Sequence, residues 1–170
     1  LEQSESLNTD SGMYDQAGIG AFAENTLHKL ASAYTASSSS SKNKMALAII
    51  ELRHANIDGE INDKQLLGDV GRSVKRVIKQ DTDVVGFYQH NQILVCLQSY
   101  KVDDFNYRCE RIIKAISADY TDIECNMGII PVDAGVGIDL QSFLSVAEIA
   151  LRRAKESDET NIVNYTEIKN

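Results

Sequence analysis

Positive charge is scarce in this chain. Seventeen Lys and Arg stand against 25 Asp and Glu, leaving 170 residues at a formal charge of −8. A nucleic-acid binder of the sequence-independent kind needs a cationic face to release phosphate counterions, so nucleic acid is excluded as a partner. Cysteine is thin as well. Cys96, Cys109 and Cys125 are odd in number and have no CxxC spacing, which excludes a disulfide framework and a cysteine zinc site. Each lies in an apolar run and reads as a small buried thiol of a reducing, cytoplasmic compartment. No stretch approaches the roughly 20 apolar residues that span a bilayer, so no membrane insertion is expected. No basic-then-apolar signal peptide opens the chain. His28, His54 and His90 lack ligand spacing, and Asp58-Gly59-Glu60 lacks the EF-hand spacing. Phosphate-loop, GxSxG and Cys–His nucleophile motifs are missing too. Neither a metal nor a cofactor is expected.

What remains is an apolar share of 43% and a charged share of 25%, the composition of a globular domain with a real core. The first residue, Leu1, is expected of a domain cut from a longer protein. Residues 1–9 are polar and aperiodic and read as a linker from an upstream region, with one domain over 10–170. From Ile19, the spacing of Phe22, Leu27, Leu30, Ala31 and Tyr34 predicts a helix. After the Ser37–Ser41 loop, Met45–Leu52 is a continuous apolar run, short enough for a strand buried on both faces. Leu66, Val70, Val74, Val77 and Ile78 predict a second helix, with Lys75, Arg76 and Lys79 on its solvated side. Strands follow at Val84–Tyr88 and Ile93–Leu97, separated by a hairpin turn of Gln89, His90, Asn91 and Gln92. Phe105, Cys109, Ile112, Ile113 and Ile116 mark a third helix. Ile123–Ile130 is a strand ended by the only proline, Pro131. Phe143, Leu144, Ala147, Ala150, Leu151 and Ala154 mark a fourth helix, and Ile162–Tyr165 a last strand. The central order, β-α-β-β-α-β, predicts an α+β fold of the ferredoxin-like or polymerase-palm type: a four-stranded antiparallel sheet flanked by helices on one face.

In that order, several segments resemble those of a GGDEF domain, the family of diguanylate cyclases. Val146-Ala147-Glu148-Ile149-Ala150-Leu151-Arg152-Arg153-Ala154-Lys155, followed by Asn161-Ile162-Val163, is similar to the family's A-D-x-A-L-Y-x-A-K and G-x-N-x-V. Leu67-Gly68-Asp69 resembles its Gly-Asp pair, Asn126-Met127-Gly128-Ile129 its S-x-G strand, and Asp83–Tyr88 the segment leading into the signature hairpin. The resemblance spans residues 10–165 and implies two-metal phosphoryl transfer between GTP molecules, with Mg²⁺ held by carboxylates from the first strand and the third hairpin position.

The signature itself is replaced. Gln89-His90-Asn91-Gln92-Ile93 stands where the family has Gly-Gly-Asp/Glu-Glu-Phe. Neutral Asn91 and Gln92 supply no charge, and Gln89 and His90 put side chains where the family keeps bare backbone. Glu51 stands at the strand's metal carboxylate, and Arg53, two residues on and facing the same way, is expected to compete with Mg²⁺ or, as a nucleotide contact, to attract a phosphate. Ile61-Asn62-Asp63 matches a purine-reading loop out of register. Asp69 is expected as a nucleotide contact or a helix N-terminal acid, and Lys155 as a triphosphate contact or an exposed helix lysine. At the inhibitory R-x-x-D, Asp83 is present but Gln80 replaces Arg and lacks the guanidinium fork. The resemblance therefore implies a non-catalytic regulatory domain of a bacterial cyclic di-GMP signalling protein. Its implied partners are a protein, an adjoining EAL or sensor domain, or a second copy of the chain. The alternatives are a GTP-binding sensor and a residual cyclase with rearranged ligands.

Overall fold

Strand β3, Lys44–His54, is apolar on both sides of its pleat, and that decides the architecture. Met45, Leu47 and Ile49 point into one core; Ala46, Ala48, Ile50 and Leu52 point into another. A strand alternates its side chains between faces, so both faces need a cover. The structure, a computed structural model, describes residues 7–8, 13–36, 44–55, 63–79, 81–99, 104–132 and 139–167. Around β3 lie β1 (Leu7–Asn8), β2 (Met13–Tyr14), β4 (Val84–Phe87), β5 (Gln92–Ser99), β6 (Ile123–Val132) and β7 (Ile162–Asn164), in the order β1-β2-β4-β5-β3-β6-β7. The helices are α1 (Gln16–Ala36), α2 (Lys64–Lys75), α3 (Asp104–Asp119) and α4 (Leu140–Glu156).

The α+β, palm-like fold is present, and its four middle strands β4, β5, β3 and β6 pair antiparallel. Five details differ from the sequence reading. Helices cover both faces rather than one: α2 and α3 pack on the Ala46–Leu52 side, α1 and α4 on the Met45–Ile49 side. The sheet is mixed, because β2 joins β4 and β7 joins β6 in parallel. Leu7–Asn8, inside the stretch read as a linker, pairs with Met13–Tyr14. Pro131 does not end its strand; it stays in β6 opposite Ala46. Since β7 reaches only Ile129, Pro131 has a strand on one side alone, an edge-like position that tolerates a missing N–H. The second helix stops at Lys75, and Ile78 packs into the core from the turn beyond it.

Two features aim the ends of the elements. Asp63 caps α2, accepting from the backbone N–H of Gln65 at 2.9 Å, and Asp139 caps α4 through Ser142 N–H at 2.9 Å. Helix α4 crosses β6 so closely that a Cβ on Gly128 would overlap the backbone of Ala147 and Leu151. Only glycine permits that approach, and it lays the last turn of α4 over the end of β3. Among the described residues, no helix is long and apolar enough to cross a membrane.

Candidate functional site

The β4–β5 turn is closed by Tyr88 N–H to Gln92 O at 3.0 Å and Gln92 N–H to Gln89 O at 2.6 Å. His90 takes φ of 32°, a left-handed conformation for a residue other than glycine. Gln89 and His90 are exposed at the tip. Asn91 is buried: its side-chain amide donates to Leu52 O at 2.8 Å, while Leu52 N–H donates back to Asn91 O at 3.0 Å. Asn91 thus fastens the hairpin to β3.

That fastening sets a register in which Gln92 lies directly across from Glu51, with Asn126 of β6 on Glu51's other side. The Gln92 amide donates to one Glu51 oxygen at 3.0 Å. The ammonium of Lys155, from the last turn of α4, meets the other at 2.7 Å. A basic residue is also favoured at a helix C-terminus. The Glu51 side chain is only 13% exposed, so both carboxylate oxygens are engaged inside a mostly closed site. Turning the Gln92 amide round would set oxygen against carboxylate, so Glu51 fixes its orientation; the Gln92 Oε1 is left buried without a donor.

Three expectations change here. The third hairpin position, implied as a metal ligand, is Asn91 and turns to Leu52, while Gln92 faces Glu51. The cation on Glu51 is Lys155 rather than Arg53, and Lys155 is not a plain surface lysine. Arg53 shares Glu51's face but pairs with its cross-strand neighbour Glu124 at 2.7 Å. Nor is Asp69 at a helix start: it lies inside α2 and pairs with Arg72. Gln80 and Asn62 lie outside the described residues.

Asp83 is fully buried and forms an ion pair with Arg108 of α3. Its carboxylate also accepts from Lys79 N–H and Gln98 N–H, each at 2.9 Å. It therefore joins the turn after α2, β5 and α3 instead of facing solvent. Burial lowers the Arg108 pKa. Arg108 could have been found in sequence, because it falls three residues after Phe105 on the apolar stripe of α3.

The polar residues open onto two separate clefts. Arg53, Glu124, Asn126 and the Ser157–Asn161 loop line one of about 380 Å³. Lys64, Phe87, Tyr88, His90 and the start of α1 line another of about 520 Å³. His90 and Arg53 are thus not brought together. At the rim of the second cleft, Tyr88 donates to Glu148 at 3.1 Å, and burial, then the Glu148 charge, pushes its phenol up to about 12. Burial likewise pushes the thiols of Cys96, Cys109 and Cys125 up to about 12, which suits the inert role expected of them.

A divalent ion for phosphoryl transfer takes hard anionic oxygens. The donors here are one carboxylate, already bound to a cation and an amide, beside two neutral amides. They do not fit such an ion. Among the described residues, no three His, Cys, Asp or Glu side chains group so as to hold a metal.

No family model and no curated protein matches the chain. Solved structures do. The GGDEF domain of DgcB from Caulobacter crescentus, in complex with c-di-GMP, is 13% identical with a TM-score of 0.71, over 95% of this chain and 96% of that one. Diguanylate cyclase SiaD from Pseudomonas aeruginosa, in complex with its activator SiaC, is 14% identical with a TM-score of 0.73, over 96% of this chain and 63% of that one. The active GGEEF domain of a Vibrio cholerae diguanylate cyclase is 14% identical with a TM-score of 0.68, over 89% and 96%. The fold is GGDEF-like.

Proposed function

We propose, from this GGDEF-like fold, that the chain is a non-catalytic regulatory domain of a cyclic di-GMP signalling protein. Its role is contact with a protein partner, an adjoining domain or a second copy of itself. One observation carries the reading: Glu51, the sole carboxylate among the described residues where β3 meets the hairpin, is held by Lys155 at 2.7 Å and by the neutral amide of Gln92 at 3.0 Å. Charge developing on a transferring phosphoryl group needs preorganised cations held by carboxylates, and this site offers a neutralised pair. Residues 10–170 form the domain in this reading, with residues 1–9 leading in from an upstream region and adding the short strand β1 to its sheet.

One solved structure of similar fold is a diguanylate cyclase in complex with a protein activator, which supports a protein partner in this reading. The inhibitory position also supports the reading. Asp83 is spent on Arg108 and two backbone N–H groups, so it is not free to meet a ligand. Isothermal titration with cyclic di-GMP is expected to give weak binding or none. Submicromolar affinity would show that the fold retains a ligand role and would overturn this part of the reading. A passive GTP sensor is the second reading, favoured by the open cleft that Arg53 shares with Asn126. Titration with GTP separates it from the first.

A further inference from the structure

The misfit between this site and a divalent ion has a positive content. We infer that the Lys155 ammonium is the resident cation of the site: it occupies the charge position at Glu51 and makes the site refractory to divalent metals. The inference rests on the reading that the domain is not a cyclase, and extends it from what the hairpin lacks to what fills the gap.

Three observations carry it. Lys155 Nζ lies 2.7 Å from Glu51 Oε2, at hydrogen-bond distance and in direct contact. The second carboxylate oxygen is taken by Gln92 at 3.0 Å, so a metal would have to displace both donors. The arrangement is also built in from two directions. Asn91 fixes the strand register that presents Gln92, and Gly128 permits the close crossing of α4 over β6 that brings Lys155 to the end of β3. The Glu51 side chain is 13% exposed and that of Lys155 46%, so the carboxylate is largely shielded from water and the ammonium reaches it from the more open side.

A hard dication prefers two or more carboxylate oxygens and gains little where an ammonium already neutralises the site. Restoring a hairpin carboxylate alone should therefore fail, because Lys155 would then be shared between two acids and held more firmly. The consequence is testable with Mn²⁺ alone, without nucleotide, by paramagnetic broadening of the backbone amide signals of residues 51 and 92 in the 170-residue chain. Gln92→Glu with Lys155 kept is expected to gain less than threefold in Mn²⁺ affinity over the unaltered chain. Gln92→Glu with Lys155→Met is expected to bind at least tenfold more tightly than Gln92→Glu alone, and Lys155→Gln should act in the same direction with a polar side chain in place. Equal affinity with and without the lysine, measurable or below detection, overturns the inference. So does site-specific Mn²⁺ binding by the unaltered chain. Cyclic di-GMP synthesis by the unaltered chain would instead overturn the functional reading, and the metal titration would still be decided on its own.

Discussion

Asn91 and Gln92 are neighbouring amides with different duties, which shows how much a single position settles in this molecule. Asn91 turns inward and bonds Leu52; Gln92 turns toward Glu51. Sequence alone showed amides rather than carboxylates at the hairpin but not which amide faces the strand, since that depends on a register fixed by backbone pairing. The same holds for Lys155, whose partner Glu51 lies 104 positions earlier in the sequence. His90 offers a test at this scale. A non-glycine residue at φ of 32° carries strain of order 1–3 kcal/mol, against an entropic cost of about 0.5–1 kcal/mol for introducing glycine. His90→Gly is therefore expected to raise stability by about 1 kcal/mol in urea unfolding, and His90→Val to lower it. Equal midpoints for the three chains would contradict a strained turn.

At the scale of elements, periodicity made four helices and five of the seven strands legible, because each buries an apolar stripe or run. The two it missed, β1 and β2, are two residues each, too short for any period to show. The one-sided helix layer was a misreading of a fact already visible. A strand buried on both faces demands helices on both. The joint between α2, β5 and α3 was hidden because Asp83 looked like part of a ligand motif. It is instead the centre of a buried network with Arg108, Lys79 N–H and Gln98 N–H. Removing one partner of a buried pair leaves an uncompensated charge, at about 3–5 kcal/mol. Arg108→Met is expected to destabilise the chain by about that amount, read as a lowered urea midpoint. A loss below about 1 kcal/mol would mean that the backbone donors alone satisfy Asp83.

At the scale of the whole molecule, two cores and three buried thiols set the alkaline behaviour. Burial raises the cysteine pKa values from 9.0 to about 12, so the folded state favours the neutral thiol. Between those values the unfolded chain has released protons that the folded chain keeps, and stability falls as pH rises. The thiol contribution is complete below pH 9.0 and is lost on passing through about 12. Tyr88, raised from 10.0 to about 12, adds to the same decline. Urea midpoints are expected to drop between pH 9 and pH 11, with a shallower drop in Cys96→Ala; a flat profile would contradict the burial. The central claim, that a GGDEF-like fold has been kept while its chemistry has been neutralised at Glu51, is tested most directly by incubating the chain with GTP and Mg²⁺ or Mn²⁺ and separating the products by chromatography. The account expects no cyclic di-GMP. Product formed at a rate abolished by Glu51→Ala would contradict it.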